Sequence, residues 1–115
     1  MKLREPTQCH LWSLEEPVEA RETMEVVEEL VKDSHLSRSL LRCRECGQLY
    51  FYEFYEIVDW VNGNDPQYTT YIPTTMEEVA DLAAMSIWDL LKCTPRIQRD
   101  WPRDADKPRV RWVRD

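Results

Sequence analysis

The residues best suited to chemistry are four cysteines and two histidines, and the tightest grouping among them is Cys43-Arg44-Glu45-Cys46-Gly47. Two thiolates separated by two residues can grip one tetrahedral Zn²⁺ at about 2.3 Å, and a following glycine accepts the backbone turn that aims amides at the sulfurs. One such pair supplies two ligands of four. The chain has no second Cys-x-x-Cys, so the others must come singly from Cys9, His10, His35 or Cys93. Cys9 is the expected third ligand, because it lies in a 16-residue opening segment that a tether to the knuckle would order. For the fourth, His35 stands eight residues before Cys43, just past an expected helix end. Cys93 is the alternative. It would complete an all-thiolate site, yet after Ile87, Leu90 and Leu91 it also suits a small buried hydrophobe. His10 ranks behind both.

Catalytic chemistry finds little support. Glu53, Glu56 and Asp59 lie within one expected strand of the knuckle, but alternation sends Glu53 and Asp59 to the face opposite Glu56, so the three cannot converge on an ion. The zinc-deaminase signature needs His-x-Glu and Pro-Cys-x-x-Cys, whereas Trp12 and Ser37 follow the two histidines and Arg42 precedes Cys43. His-Glu-x-x-His and Gly-x-Ser-x-Gly are absent too. With only Gly47 and Gly63, no glycine-rich phosphate loop can form. A thioredoxin-type thiol pair would open a helix, and here a strand follows. The expectation is a structural metal in a protein that is not an enzyme. Glu53, set among aromatics, is expected to pair with an arginine such as Arg42 or Arg111.

The elements that must position these residues can be read from periodicity. Ala20, Met24, Val27 and Val31 recur at helical spacing after Pro17, which predicts an amphipathic helix ending near Lys32 to His35. Leu40 to Arg42 is a short strand candidate. Gln48 to Val61 reads as a central two-sided strand, with Leu49, Phe51, Glu53, Tyr55 and Ile57 on one face and Tyr50, Tyr52, Phe54, Glu56, Val58 and Trp60 on the other. Asn62 to Pro66 is turn chemistry, Gln67 to Ile72 its hairpin partner, and Pro73 the expected stop. Thr75 and Glu78 form a capping box for a second helix, Met76 to Lys92, with Ser86 on its inner stripe. An irregular passage holding Thr94-Pro95 and Trp101-Pro102 then leads to a last strand, Arg109 to Arg114. The expected fold is one α+β domain over residues 1–115, a small antiparallel meander of three to four strands with two amphipathic helices.

The local shape of Cys43 to Gly47, with a strand on each side, resembles the knuckle of zinc-ribbon proteins over roughly a third of the chain. The resemblance implies a structural Zn²⁺. The run Cys43 to Tyr50, Cys-x-x-Cys-Gly-Gln-Leu-Tyr, is similar to that of small bacterial proteins of uncharacterised activity, and implies none.

Charge directs attention to the surface. The 115 residues carry 22 acids against 15 bases, a net −7, unevenly spread: residues 15–33 hold eight acids and two bases, whereas 92–115 hold eight bases and four acids. The acidic part repels phosphate and attracts cationic partners. Glu53, Glu56, Asp59, Trp60, Asp65 and Tyr68 crowd the expected hairpin, and an aromatic patch edged with carboxylates suits a basic protein surface. In size, charge and aromatic content the chain is similar to immunity proteins, which occlude the cationic sites of nuclease toxins. The competing partner is single-stranded nucleic acid, stacked on aromatics and held by the arginine-rich end. Neither an apolar run long enough for a membrane nor a basic-then-apolar leader is seen, so a cytoplasmic setting is expected.

Overall fold

A computed structural model describes residues 5, 6 and 8–115. Its centre is a six-stranded antiparallel sheet in simple meander order. The strands are β1 (Met24–Lys32), β2 (Leu36–Cys43), β3 (Leu49–Glu56), β4 (Gln67–Thr74), β5 (Arg96–Trp101) and β6 (Arg109–Val113). Both faces are covered. Residues 8–23, with two short 3₁₀ turns at His10–Ser13 and Ala20–Thr23, lie over one face; residues 75–93, with helices α1 (Val79–Ala83) and α2 (Ile87–Leu90), lie over the other.

The expected first helix is instead strand β1, the edge of the sheet. Its register against β2 skips at Val27 and again at Leu30. Two bulges three residues apart break the two-residue alternation, so valines recur at a spacing that imitates a helix. The residues themselves, Val26, Val27 and Val31, favour extended backbone. The second helix is also shorter than periodicity suggests. Glu78 Oε1 accepts from the Thr75 backbone N–H at 3.2 Å and its hydroxyl at 3.1 Å, so half of the expected capping box forms, but α1 opens later, at Val79, with no side-chain cap. Ser86 then ends any continuation: its Oγ accepts from Asp89 N–H at 3.2 Å and opens α2, so it is a cap and not a core residue.

β2, β3 and β4 follow the expected hairpin logic. β3 is shorter than its apolar run, ending at Glu56, and its two faces alternate as read. Pro73 stays within β4 because only Gln67 to Tyr71 pair with β5, leaving the proline nitrogen on an open side. β5 replaces the irregular passage, its prolines lying outside the strand ends. The count is therefore six strands, not three or four, with two short helices.

The two faces carry separate cores. Leu11, Met24, Leu41, Cys43, Tyr50, Tyr71, Ile97 and Trp112 pack beneath the opening segment; Phe51, Ile72, Leu82, Leu90 and Cys93 pack beneath the helices.

Candidate metal centre

The turn from β2 into β3 builds the knuckle. Gly47 N–H donates to Cys43 O at 2.9 Å, Cys43 N–H donates to Gln48 O at 2.9 Å, and Gly47 adopts a positive φ of 81° that a side chain would strain. This places Cys43 and Cys46 on one side of the turn, as the spacing predicts. The opening segment delivers the third sulfur. It is fixed to the sheet by Trp112 Nε1 donating to Leu11 O at 2.7 Å, by Arg114 donating to Trp12 O at 2.8 Å, and by the edge-on packing of Trp12 against Trp112. Cys9, Cys43 and Cys46 then meet, each sulfur within 4.8 Å of the other two. In a tetrahedral zinc site sulfurs lie about 3.8 Å apart, so these three need close by only about an ångström.

The surroundings suit thiolates. Cys9 and Cys43 are buried and Cys46 is exposed. Tyr50, fully buried, donates its hydroxyl to Cys9 Sγ at 3.2 Å. Burial works against ionising Cys43, but the backbone amides of Cys46 and Glu45 outweigh it and hold that thiol below its ordinary value. Cys46 goes the other way. Although the residue reaches solvent, desolvation of its sulfur and the neighbouring Cys9 and Cys43 push it up to about 12, as crowding of like charges should when thiolates share one site. A cation placed among them would reverse that penalty.

His10 is the imidazole at the rim of this cluster, beside one of its three sulfurs. Its Nδ1 lies 4.0 Å from Cys43 Sγ and 2.9 Å from Glu45 Oε2, so a carboxylate of the knuckle holds the ring beside the sulfurs. His35 does not arrive. It sits at the far end of β2, eight residues or roughly 26 Å of extended chain from Cys43, where its Nδ1 pairs with Glu56 Oε1 at 3.1 Å. Cys93 is also removed, because it belongs to the core on the opposite face, with its thiol toward Asp89 O at 3.7 Å and Met85 Sδ at 3.9 Å. Both proposed fourth ligands are thereby corrected.

No family model, curated protein or solved structure matches the chain. The site is therefore read from its own geometry.

The residues expected to meet a partner are mostly engaged within the fold. Glu53 is 3% exposed and receives Nε and Nη2 of Arg38, both at 2.8 Å on Oε2; the partner is neither Arg42, which pairs with Glu25, nor Arg111, which pairs with Asp100. Glu56 accepts from His35 and Gln67. Asp59 Oδ1 accepts the N–H groups of Val61 and Asn62, its Oδ2 meets Arg103 at 2.6 Å, and Asp65 accepts from the Asp59 amide. Tyr68 is half-buried, and Trp60, at 87%, is the member that stands in solvent. The acidic surface lies elsewhere: Glu15, Glu16, Glu19 and Glu22 on the opening segment and Glu28 and Glu29 on β1 are all exposed, beside exposed Val26, Val27 and Val31. Several arginines of the last segment also have internal partners, Arg96 on Gln98, Arg111 on Asp100 and Arg114 over Trp12 at 4.0 Å. No helix among the described residues is long and apolar enough to cross a membrane.

Proposed function

We propose that the chain is a non-enzymatic, zinc-stapled interaction domain in which Cys9, Cys43, Cys46 and His10 hold one Zn²⁺, and whose acidic β1 edge takes a basic protein segment. The observation that carries the metal reading is the meeting of three sulfurs from two distant parts of the chain. Three thiolates and an imidazole form a closed donor set of the structural kind; His10 Nδ1, which faces both Glu45 and Cys43, would exchange the carboxylate for the ion. The ion would supply folding free energy by tying residues 8–23 to the sheet. That segment leads directly into β1, where Arg44 N–H donates to Thr23 O at 2.9 Å, so the staple also sets the position of the edge. An exposed edge strand with glutamates among valines offers unpaired backbone groups and a charge that selects a cationic chain. Inhibition of a basic protein by occlusion is the role this surface suits. Internal pairing of Arg96, Arg103, Arg111 and Arg114 counts against the nucleic-acid reading.

Elemental analysis of protein purified in reducing buffer is expected to find about one zinc per chain. Replacing Cys43 and Cys46 together with Ser should abolish it, His10→Ala should weaken it, and His35→Ala or Cys93→Ala should leave it intact. Metal-free protein from reduced, unchelated preparations would overturn the reading. For the partner, salt-sensitive binding of an oligolysine peptide, lost in the Glu28→Lys/Glu29→Lys variant, is expected; binding of single-stranded oligonucleotide instead would replace it.

A further inference from the structure

Beneath α2, on the face away from the sulfurs, lies a cavity of about 220 Å³. Tyr55 and Tyr68 from β3 and β4 and Ile87 and Leu91 from the helical segment form its walls, Trp88 stands at its rim, 73% exposed, and Glu53 lies at its floor. The walls are apolar apart from tyrosine hydroxyls and a threonine. The floor holds a charge.

That carboxylate is incompletely partnered. Both contacts from Arg38 go to Oε2. Among the described residues every fully buried side-chain nitrogen or oxygen has a hydrogen-bond partner, and Oε1 has none, so it is the oxygen that reaches the cavity. Burial raises the Glu53 carboxyl above its ordinary value, with Arg38 offsetting only part of the cost. A carboxylate so desolvated and short of one donor is relieved by a second cationic donor arriving from the open side. Aromatic faces beside it favour the same charge.

We propose that this cavity is a binding site for a small primary amine with an apolar body, its ammonium on Glu53 Oε1 and its body between Tyr55, Tyr68 and α2. The size supports a small molecule, since the cavity is below the range of about 300–1,000 Å³ that drug-sized ligands occupy. A neutral donor would satisfy the oxygen without the charge gain, and a carboxylate would be repelled.

The test uses 2-phenylethylamine titrated into the metal-loaded full chain, followed by Trp88 fluorescence and calorimetry. Saturable one-to-one binding is expected, with 2-phenylethanol weaker by about ten- to a hundredfold, the worth of one charge-assisted hydrogen bond, and 3-phenylpropionate not binding. Glu53→Gln should weaken the amine to the same extent. Because that variant disturbs a buried pair, Ile87→Trp provides a second check: it fills the cavity from the helical side without touching Arg38 or Glu53, and should abolish binding while the protein stays folded. Equal affinity for amine and alcohol, binding retained in Ile87→Trp, or no saturation by the amine would each overturn the proposal. None of these outcomes depends on the zinc content.

Discussion

The two faces of the sheet are closed by different means. Over one face lie residues 8–23, nearly devoid of regular structure, anchored by an indole N–H and a pair of packed tryptophans, with Cys9 beside the two sulfurs of the knuckle. Over the other lie residues 75–93, whose helices bury Leu82 and Leu90 completely and cover an Arg38–Glu53 ion pair. A segment of 3₁₀ turns is held only by short-range bonds of poor geometry and takes much of its order from what it touches, which is where a metal would contribute most. The helical cover has a Ser86 cap on α2 and buried apolar side chains of its own. One face should therefore answer to metal and thiol chemistry and the other should not.

Removing the metal should give the largest effect. Binding free energies of structural zinc sites are on the order of 10 kcal/mol, so chelation, or Cys43→Ser with Cys46→Ser, is expected to lower the Tm steeply and to collapse the near-ultraviolet signal of Trp12 and Trp112. The amides of α1 and α2 should keep more of their hydrogen-exchange protection than those of residues 8–23; equal loss on both faces would dissolve the contrast.

Breaking the ion pair on the helical face comes next. Arg38→Ala strands a buried carboxylate and should cost about 3–5 kcal/mol, with zinc content unchanged in elemental analysis. Paired core truncations sharpen the comparison further. Leu11→Ala and Leu90→Ala remove fully buried side chains from opposite faces and should each cost about 2–5 kcal/mol in zinc-loaded protein. In chelated protein the cost of Leu11→Ala should shrink, since its segment is already loosened, and that of Leu90→Ala should persist.

Acid titration gives the smallest effect, and its sign differs between two carboxyls. Glu53 has its pKa raised by burial, so its burial is least costly below the unfolded carboxyl value and stability falls as pH rises through the raised value. Asp59 is held low by the Asn62 amide first, with the Val61 amide and Arg103 adding to it, so the stability it contributes is present above its unfolded value and disappears as pH falls through the lowered one. In pH-dependent denaturation, Glu53→Gln should flatten the first slope and Asp59→Asn the second.

Much of the metal centre was legible because it is local. Cys43-x-x-Cys46-Gly47 specifies its own turn, and an unanchored Cys9 needed a reason to be ordered. The fourth position was not legible, since it depends on which end of β2 faces which segment. A helix over residues 17–33 would have returned His35 toward the knuckle, whereas a bulged strand carries it away. Those bulges explain the failure: at Val27 and Leu30 they convert a strand's alternation into a spacing of three and four. The Arg38–Glu53 pair was within reach, because a hairpin turning at Cys43–Gln48 sets residues whose numbers sum to 91 opposite each other. β5 was hidden by the prolines that border it.

The central claim is that one zinc ion joins the opening segment to the knuckle through three sulfurs and a nitrogen. X-ray absorption at the zinc edge of protein purified under reducing conditions addresses it directly. The expected first shell is about three sulfurs near 2.3 Å and one nitrogen near 2.0–2.1 Å, falling to two sulfurs in Cys9→Ser. A shell of oxygen and nitrogen alone, or one unchanged by Cys9→Ser, would contradict it.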